Sequence, residues 1–115
     1  MSENPVNRVS EYEKPQATVH FKDITREAQK KAQGLNYYLS ELIGKEIVIV
    51  KVDLASNRCE AFLGDQLVHI GWKSDVITKR MALIDKFIRS NFQGVRVRVV
   101  ERTSKKTGKT YLDLE

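Results

Sequence analysis

The chain has 115 residues, of which 41% are hydrophobic and 30% charged, and a formal net charge of +5. This length predicts one domain, and the apolar fraction excludes disorder throughout the chain. No apolar run approaches the ~20 residues that cross a bilayer, so we expect no membrane protein. The N-terminus lacks the basic and then apolar stretch of a signal peptide. The single cysteine, Cys59, cannot form an internal disulfide, which favours the cytoplasm.

The positive charge is unevenly distributed. Residues 1–72 carry nine basic and ten acidic side chains, whereas residues 73–115 carry eleven and five. The whole excess therefore lies in the C-terminal part, where it can create a local field that attracts an anionic partner. Alternatively, these lysines and arginines bind no partner and only keep the edge of a hairpin soluble.

The first part of the chain predicts a tail and then a helix. Residues 1–22 contain both prolines and no sustained apolar periodicity, so we predict a flexible tail or an arm that orders on binding. A helical stripe follows over residues 23–43, with Asp23 as a candidate N-cap and Gly44 as the stop. Gly34 interrupts this register, which leaves a kink or two shorter helices open. The stripe consists of Ile24, Ala28, Ala32, Leu35, Leu39 and Leu42.

The middle of the chain predicts three strands, over residues 46–54, 58–63 and 66–72. Gly64 and Asp65 suit a two-residue type II′ turn, which would pair Leu63 with Gln66 and Cys59 with Ile70. The same register places the apolar side chains on one face, which supports it independently of the turn. That core face comprises Cys59, Ala61, Leu63, Val68, Ile70 and Trp72, and the other face comprises Arg58, Glu60, Phe62, Leu67, His69 and Gly71.

The C-terminal part predicts a second helix and a basic hairpin. Ser74 caps an amphipathic helix that runs to about Phe92. Strands over residues 95–103 and 109–114 then flank a loop over residues 104–108, with Leu112 and Leu114 facing inward. The helix would bury Val76, Ile77, Met81, Leu83, Ile84, Phe87 and Ile88. The first strand of the hairpin alternates Val95, Val97 and Val99 with Arg96, Arg98, Val100 and Arg102.

From residue 45 onward the order is three strands, a helix and two strands, and this order resembles the OB-fold. The resemblance implies a mainly β protein, a five-stranded Greek-key barrel with a helix between its third and fourth strands. The segment from Val97 to Tyr111 is similar to the closing basic hairpin of many such domains. An N-terminal helix would precede the barrel, and residues 23–115 would form one domain.

Proteins with this fold usually bind oligonucleotides or oligosaccharides across the second and third strands. The resemblance therefore implies a platform of Arg58, Phe62, Leu67 and His69, flanked by Ser56 and Asn57 in one loop. The hairpin would add phosphate contacts and an aromatic side chain, because lysines follow a phosphate backbone while aromatic rings stack on unpaired bases. This second group comprises Arg102, Lys105, Lys106, Lys109 and Tyr111.

Several of these residues have structural alternatives. Phe62 and Leu67 form a cross-strand pair that the N-terminal helix would cover equally well. His69 lies opposite Glu60, and a simple polar pair is favoured over a catalytic or metal role. Trp72 falls on the core face.

No catalytic, metal or cofactor motif stands out. Gly108-Lys109-Thr110 lacks the earlier glycine and the following helix of a phosphate-binding loop, and one cysteine with two histidines gives no zinc spacing. We therefore expect no enzyme and no cofactor. The sequence predicts a single-stranded nucleic-acid-binding module, sequence-tolerant and with DNA weakly preferred over RNA. The alternatives are an accessory protein or inhibitor that docks through its tail or helix, including a homodimer through residues 23–43, and a sugar-binding barrel.

Overall fold

The computed structural model describes residues 19–115. The predicted tail lies, up to residue 18, outside the described residues. Within the described part, no helix is long and apolar enough to cross a membrane.

Two helices and six strands make up the described chain. Helix α1 and a short strand, β1, come first and are followed by a single turn of 3₁₀ helix. Three strands, helix α2 and a final hairpin complete the order. The elements are α1 (Phe21–Gln33), β1 (Tyr37–Tyr38), the 3₁₀ helix (Leu39–Leu42), β2 (Glu46–Asp53), β3 (Arg58–Leu63), β4 (Gln66–Gly71), α2 (Asp75–Asn91), β5 (Val95–Thr103) and β6 (Thr110–Leu114).

The six strands form one curled, half-barrel sheet in the order β1-β4-β3-β2-β5-β6. Every pairing is antiparallel except that of β1 with β4. Residues 46–49 of β2 pair with β5 and residues 48–53 pair with β3, and the register of the β2–β3 pairing shifts at Val50. A bulge of this kind bends a strand and increases its twist. Strand β2 therefore turns the sheet around the core, which holds Ile47, Ile49, Ile70, Ile77 and Met81.

The prediction of a mainly β protein with helices agrees with this architecture at that level of detail. The structure has six strands rather than five, because Tyr37 and Tyr38 add a parallel edge strand to β4. Strands β1 and β6 are the two edges of the described sheet.

The central hairpin has the predicted register. Leu63 pairs with Gln66, and Cys59 pairs with Ile70. Gly64 adopts a φ of 64°, which a glycine reaches without steric cost. Burial of Ala61, Val68 and Trp72 confirms the predicted core face.

The N-terminal helix is shorter than predicted and begins earlier. His20, not Asp23, is its N-cap, and the helix ends at Gln33 because Gly34 adopts a left-handed φ of 71°. Arg58 then donates to the carbonyl oxygens of Gln33 at 2.7 Å and Gly34 at 3.3 Å, which satisfies groups left free at the helix end. The prediction of one helix over residues 23–43 is therefore wrong, and the shorter-helix alternative is the observed one.

Two predicted core groups are exposed. Leu83 and Phe87 of α2 face solvent, because the buried stripe of this helix is the narrower set Ile77, Met81 and Ile84. In α1 the predicted stripe residues Ile24, Ala28 and Ala32 are also exposed. Only the later members of that stripe are buried, and they lie beyond the helix, at Leu35, Leu39 and Leu42.

A buried lysine attaches α1 to the 3₁₀ helix. Lys30 is only 5% exposed, and its Nζ donates to both carboxylate oxygens of Glu41 at 3.0 Å and pairs with Glu27 at 2.6 Å. Burial by itself would lower the pKa of Lys30, but the hydrogen bonds to Glu27 and Glu41 raise it. The Glu41 carboxylate also accepts the N–H of Tyr38 at 2.8 Å. The Glu41 carboxylate therefore binds both α1, through Lys30, and β1, through the Tyr38 N–H.

Glu41→Gln is expected to loosen α1, because the neutral amide leaves the buried ammonium of Lys30 with Glu27 as its one carboxylate partner among residues 19–115. A buried charge that loses one partner destabilises its surroundings by about 1–3 kcal/mol. Hydrogen exchange of the α1 amides should accelerate accordingly at pH 7. Glu101→Gln is the control, since Glu101 is exposed and forms no recorded ion pair within residues 19–115. Equal exchange rates in the two variants would show that Lys30 does not hold the helix.

Candidate nucleic-acid interface

The outer face of the sheet carries one continuous cross-strand row. Leu67 of β4 pairs with Phe62 of β3, Phe62 with Val48 of β2, and Val48 with Arg96 of β5. Phe62 is 39% exposed and Leu67 45%, so the described part of α1 does not cover them. This row presents an apolar surface beside a cation, an arrangement on which an unpaired base can stack.

The other two predicted platform residues lie near the opposite end of β3. Arg58 and His69 line a shared cleft of about 310 Å³, together with Asp53 and Glu60. The Arg58 guanidinium is occupied by the carbonyl oxygens at the end of α1. His69 pairs across the strands with Glu60, as predicted. Two carboxylates in this cleft make it less favourable to a phosphate than the hairpin.

The arginines of the hairpin strand are engaged by carboxylates. Arg96 donates to Glu46 at 2.8 Å, and Arg98 reaches the same carboxylate at 3.4 Å. Arg102 donates to Asp113 at 2.8 Å and to Glu115 at 3.4 Å. These arginines therefore contribute less free positive charge than their number in the sequence indicates.

The lysines of the β5–β6 loop differ from these arginines. Lys105, Lys106 and Lys109 are exposed, and within residues 19–115 no carboxylate forms a recorded ion pair with any of them. Lys105 and Lys106 line an open cleft of about 510 Å³ together with Tyr111. Tyr111 also pairs with Arg102 across the hairpin. The structure thus brings most of the predicted hairpin group together.

A buried carboxylate fixes the base of this hairpin. Asp113 is 3% exposed and accepts two hydrogen bonds from Arg80 of α2, at 2.8 and 3.3 Å, besides the one from Arg102. The hydrogen bonds from Arg80, and then those from the Leu114 N–H and Arg102, outweigh burial and lower the pKa of Asp113 to about 2. This ion-pair network joins α2 to both strands of the hairpin. The alternation of apolar residues in the sequence predicted that Asp113 lies outside the core. It gave no indication of Arg80, which is 33 residues away.

A larger cleft, missed by the sequence analysis, lies between α1 and the sheet. It measures about 730 Å³ and combines three cations with three aromatic rings, and neither Asp nor Glu lines it. Its residues come from α1, β1, the 3₁₀ helix, the end of β4 with the segment after it, and β6, so no local spacing could have revealed it. We call it the α1 cleft; its cations are Lys22, Arg26 and Lys73, and its aromatic residues are Phe21, Tyr38 and Trp72.

Residues 19–115 hold no metal-binding cluster. No group of three or more His, Cys, Asp or Glu side chains there could hold a metal ion. Cys59 is buried, as predicted, and burial raises the pKa of its thiol to about 12. A thiol of this kind is a packing residue rather than a nucleophile at neutral pH.

Comparisons with known proteins add no assignment: no family model matches the chain, and no curated protein or solved structure is significantly similar to it.

Proposed function

We propose that this protein is a single-stranded nucleic-acid-binding module with an OB-like barrel, which contacts phosphates through the β5–β6 loop and stacks bases on aromatic side chains. The observation that carries the proposal is the contrast between the two sets of cations in the hairpin. The strand arginines are bound by carboxylates, whereas Lys105, Lys106 and Lys109 are exposed to solvent in the loop of the hairpin. Unpaired lysines on a loop can follow an irregular phosphate backbone.

The strand order supports the OB-like part of the proposal. In the order β4-β3-β2-β5-β6, the bent strand β2 lies at the centre and pairs with both β3 and β5. Along the chain, α2 connects β4 to β5. Closure of the barrel would bring β6 towards the edge formed by β1 and the part of β4 that β1 leaves unpaired. Leu112 of β6 lines the α1 cleft together with Gly71 at the end of β4, so the two sides of the sheet already face the same space.

Tyr111 and Phe62 supply aromatic surface at two places on this sheet. Tyr111 borders the lysine loop, and Phe62 lies in the outer-face row beside Arg96. A strand held by Lys105 and Lys106 would meet Tyr111 first. Stacking on one ring contributes about 1–3 kcal/mol without selecting a sequence, which fits a sequence-tolerant binder.

Titration of labelled oligothymidine, oligouridine and a duplex, each at about 50 and about 200 mM salt, tests the function. We expect the single strands to bind more tightly than the duplex. Their affinity should fall with salt at a logarithmic slope of about −0.7 for each phosphate contacted. The absence of binding to any single strand at low salt would contradict the proposal.

A second candidate function is protein docking, and the exposed face of α1 favours it. Phe21 and Ile24 are exposed one turn apart on a helix that contributes only Lys30 to the buried part of the structure. An amphipathic helix with an unpaired apolar side is typical of a docking element. Deletion of residues 1–22 would separate the two functions, since loss of partner binding with retained oligonucleotide binding assigns docking to this region.

A further inference from the structure

We propose that the α1 cleft is a binding site for a single nucleotide, with the base against its aromatic wall and the phosphate held by Lys22, Arg26 and Lys73. This site is separate from the lysine loop and does not require the proposed function. Apart from Leu112 of β6, its lining residues come from α1 and from the segments around the β1 edge of the sheet. The ligand chemistry is a base bearing a phosphate, whether free or at the end of a strand.

Charge is the first argument. Three of the lining side chains are cationic, and no lining side chain is acidic. The field of Arg26 also reaches Glu41, whose pKa is lowered, against the effect of burial, chiefly by the Tyr38 N–H and by Lys30. Because Glu41 is already bound by Lys30 and by that N–H, the cleft presents a net positive potential to an anion.

The aromatic residues are the second argument. Phe21 is 79% exposed at the rim of the cleft, whereas Tyr38 and Trp72 form its wall on the side of the sheet. A planar base between Phe21 and that wall would remove the Phe21 ring from water and stack on it. Lys73 lies over the Tyr38 ring at 5.6 Å from its centre, so cation and aromatic surface are already adjacent.

The size of the cleft agrees with a ligand of this class. The volume of about 730 Å³ lies within the range of small-molecule sites and exceeds what one nucleotide needs.

The single tryptophan of the chain makes the site directly observable. Trp72 lines the cleft, and its Nε1 donates to Thr78 Oγ1 at 2.9 Å, which fixes the ring. Adenosine monophosphate should therefore quench Trp72 emission in a saturable manner, and calorimetry should give the same affinity. Adenosine and inorganic phosphate should each bind more weakly than the nucleotide. Heat of binding without any change in Trp72 emission would place the nucleotide elsewhere and overturn the proposal.

Variants test the roles of the lining residues. Lys73→Gln and Arg26→Gln should each weaken nucleotide binding about tenfold, since each removes a charge-assisted contact. Phe21→Ala should reduce affinity for the nucleotide but not for inorganic phosphate. Lys86→Gln and Phe92→Ala are the matched controls, because both residues are exposed and neither lines the cleft. Unchanged affinity in Lys73→Gln, Arg26→Gln and Phe21→Ala would overturn the assignment.

Two further experiments are needed. The first asks whether the natural ligand is a free nucleotide or the end of a strand, and the second separates binding in the α1 cleft from binding by the lysine loop. A 5′-phosphorylated oligoadenosine that binds more tightly than the free nucleotide indicates the end of a strand, whereas equal affinity indicates a free nucleotide. Replacement of the loop lysines Lys105, Lys106 and Lys109 should leave quenching by adenosine monophosphate unchanged. If this variant loses oligonucleotide binding but keeps the quenching of Trp72, the loss is due to the lysine loop and the α1 cleft is unaffected. If no nucleotide quenches Trp72 in the unmodified protein, the nucleotide site in the α1 cleft is rejected, and the proposed function of the lysine loop is not.

Discussion

Simultaneous replacement of Lys105, Lys106 and Lys109 by glutamate is expected to abolish oligonucleotide binding at physiological salt. Each substitution removes an exposed cation that no recorded carboxylate partner neutralises within residues 19–115 and places an anion in the path of the phosphates. At about 1 kcal/mol or more for each lost contact, three substitutions reduce the affinity by more than about a hundredfold. Anisotropy of labelled oligothymidine at low and physiological salt measures the loss.

The control for this prediction must change the net charge equally. Lys31→Glu, Lys79→Glu and Lys86→Glu together remove the same charge from exposed positions on the two helices. If the net charge of +5 by itself caused binding, both triple variants would lose affinity to the same degree. We expect the control to retain most of its affinity and its slope with salt. The milder Lys→Gln triple variant should lower that slope by about 2, since three phosphate contacts disappear.

The sequence predicted the parts of the fold in which local chemistry and burial agree. The Gly64–Asp65 turn and the alternation of Cys59, Ala61, Val68 and Ile70 require the same register, so the hairpin could be predicted pair by pair. The cap at Ser74 and the strand from Val95 were predicted for the same reason. In each case the element is specified by neighbours in the chain.

The errors concern residues whose environment is determined by distant segments. Leu35, Leu39 and Leu42 continue the helical spacing of Ile24 and Ala28, yet the chain leaves the helix at Gly34. These leucines are buried because Asn36 attaches the segment to β4, through hydrogen bonds of 2.8 Å in both directions with the backbone of His69. These leucines are therefore buried, as the helical spacing predicts, but in a segment that is held by tertiary contacts and is not part of the helix. A period of three to four residues cannot distinguish these two outcomes.

The candidate sites show the same difference between residues that are neighbours in the chain and residues that only the fold brings together. Lys105, Lys106 and Tyr111 lie within seven residues of one another, and the sequence was sufficient to group them. The α1 cleft collects side chains from positions 21 to 112, and the partner of Asp113 is on another element. Charge counting also overestimated the free cations, because Arg96 and Arg102 bind carboxylates that a linear sequence does not place beside them.

Asp113→Asn is expected to be among the most destabilising single substitutions at the hairpin, because it removes the charge that holds Arg80 and Arg102 together. The pKa of Asp113 is lowered to about 2 in the folded protein, against about 3.9 for an unperturbed aspartate. Its ionised form therefore favours the folded state at every pH above the unfolded value. A shift of this size corresponds to about 2–3 kcal/mol of the free energy of unfolding at pH 7.

The pH dependence of the same variant tests the cause. A depressed carboxylate pKa stabilises the protein above the unfolded value, and this contribution is lost as the pH falls from about 5 towards about 2. Urea unfolding followed by Trp72 emission should give a difference of about 2–3 kcal/mol at pH 7 that narrows steadily below about pH 5. Asp85→Asn is the matched control, since the exposed Arg89 partner makes its pair worth under about 1 kcal/mol. A difference for Asp113→Asn that is constant with pH would show that lost packing, rather than lost charge, destabilises the hairpin which presents the lysine loop.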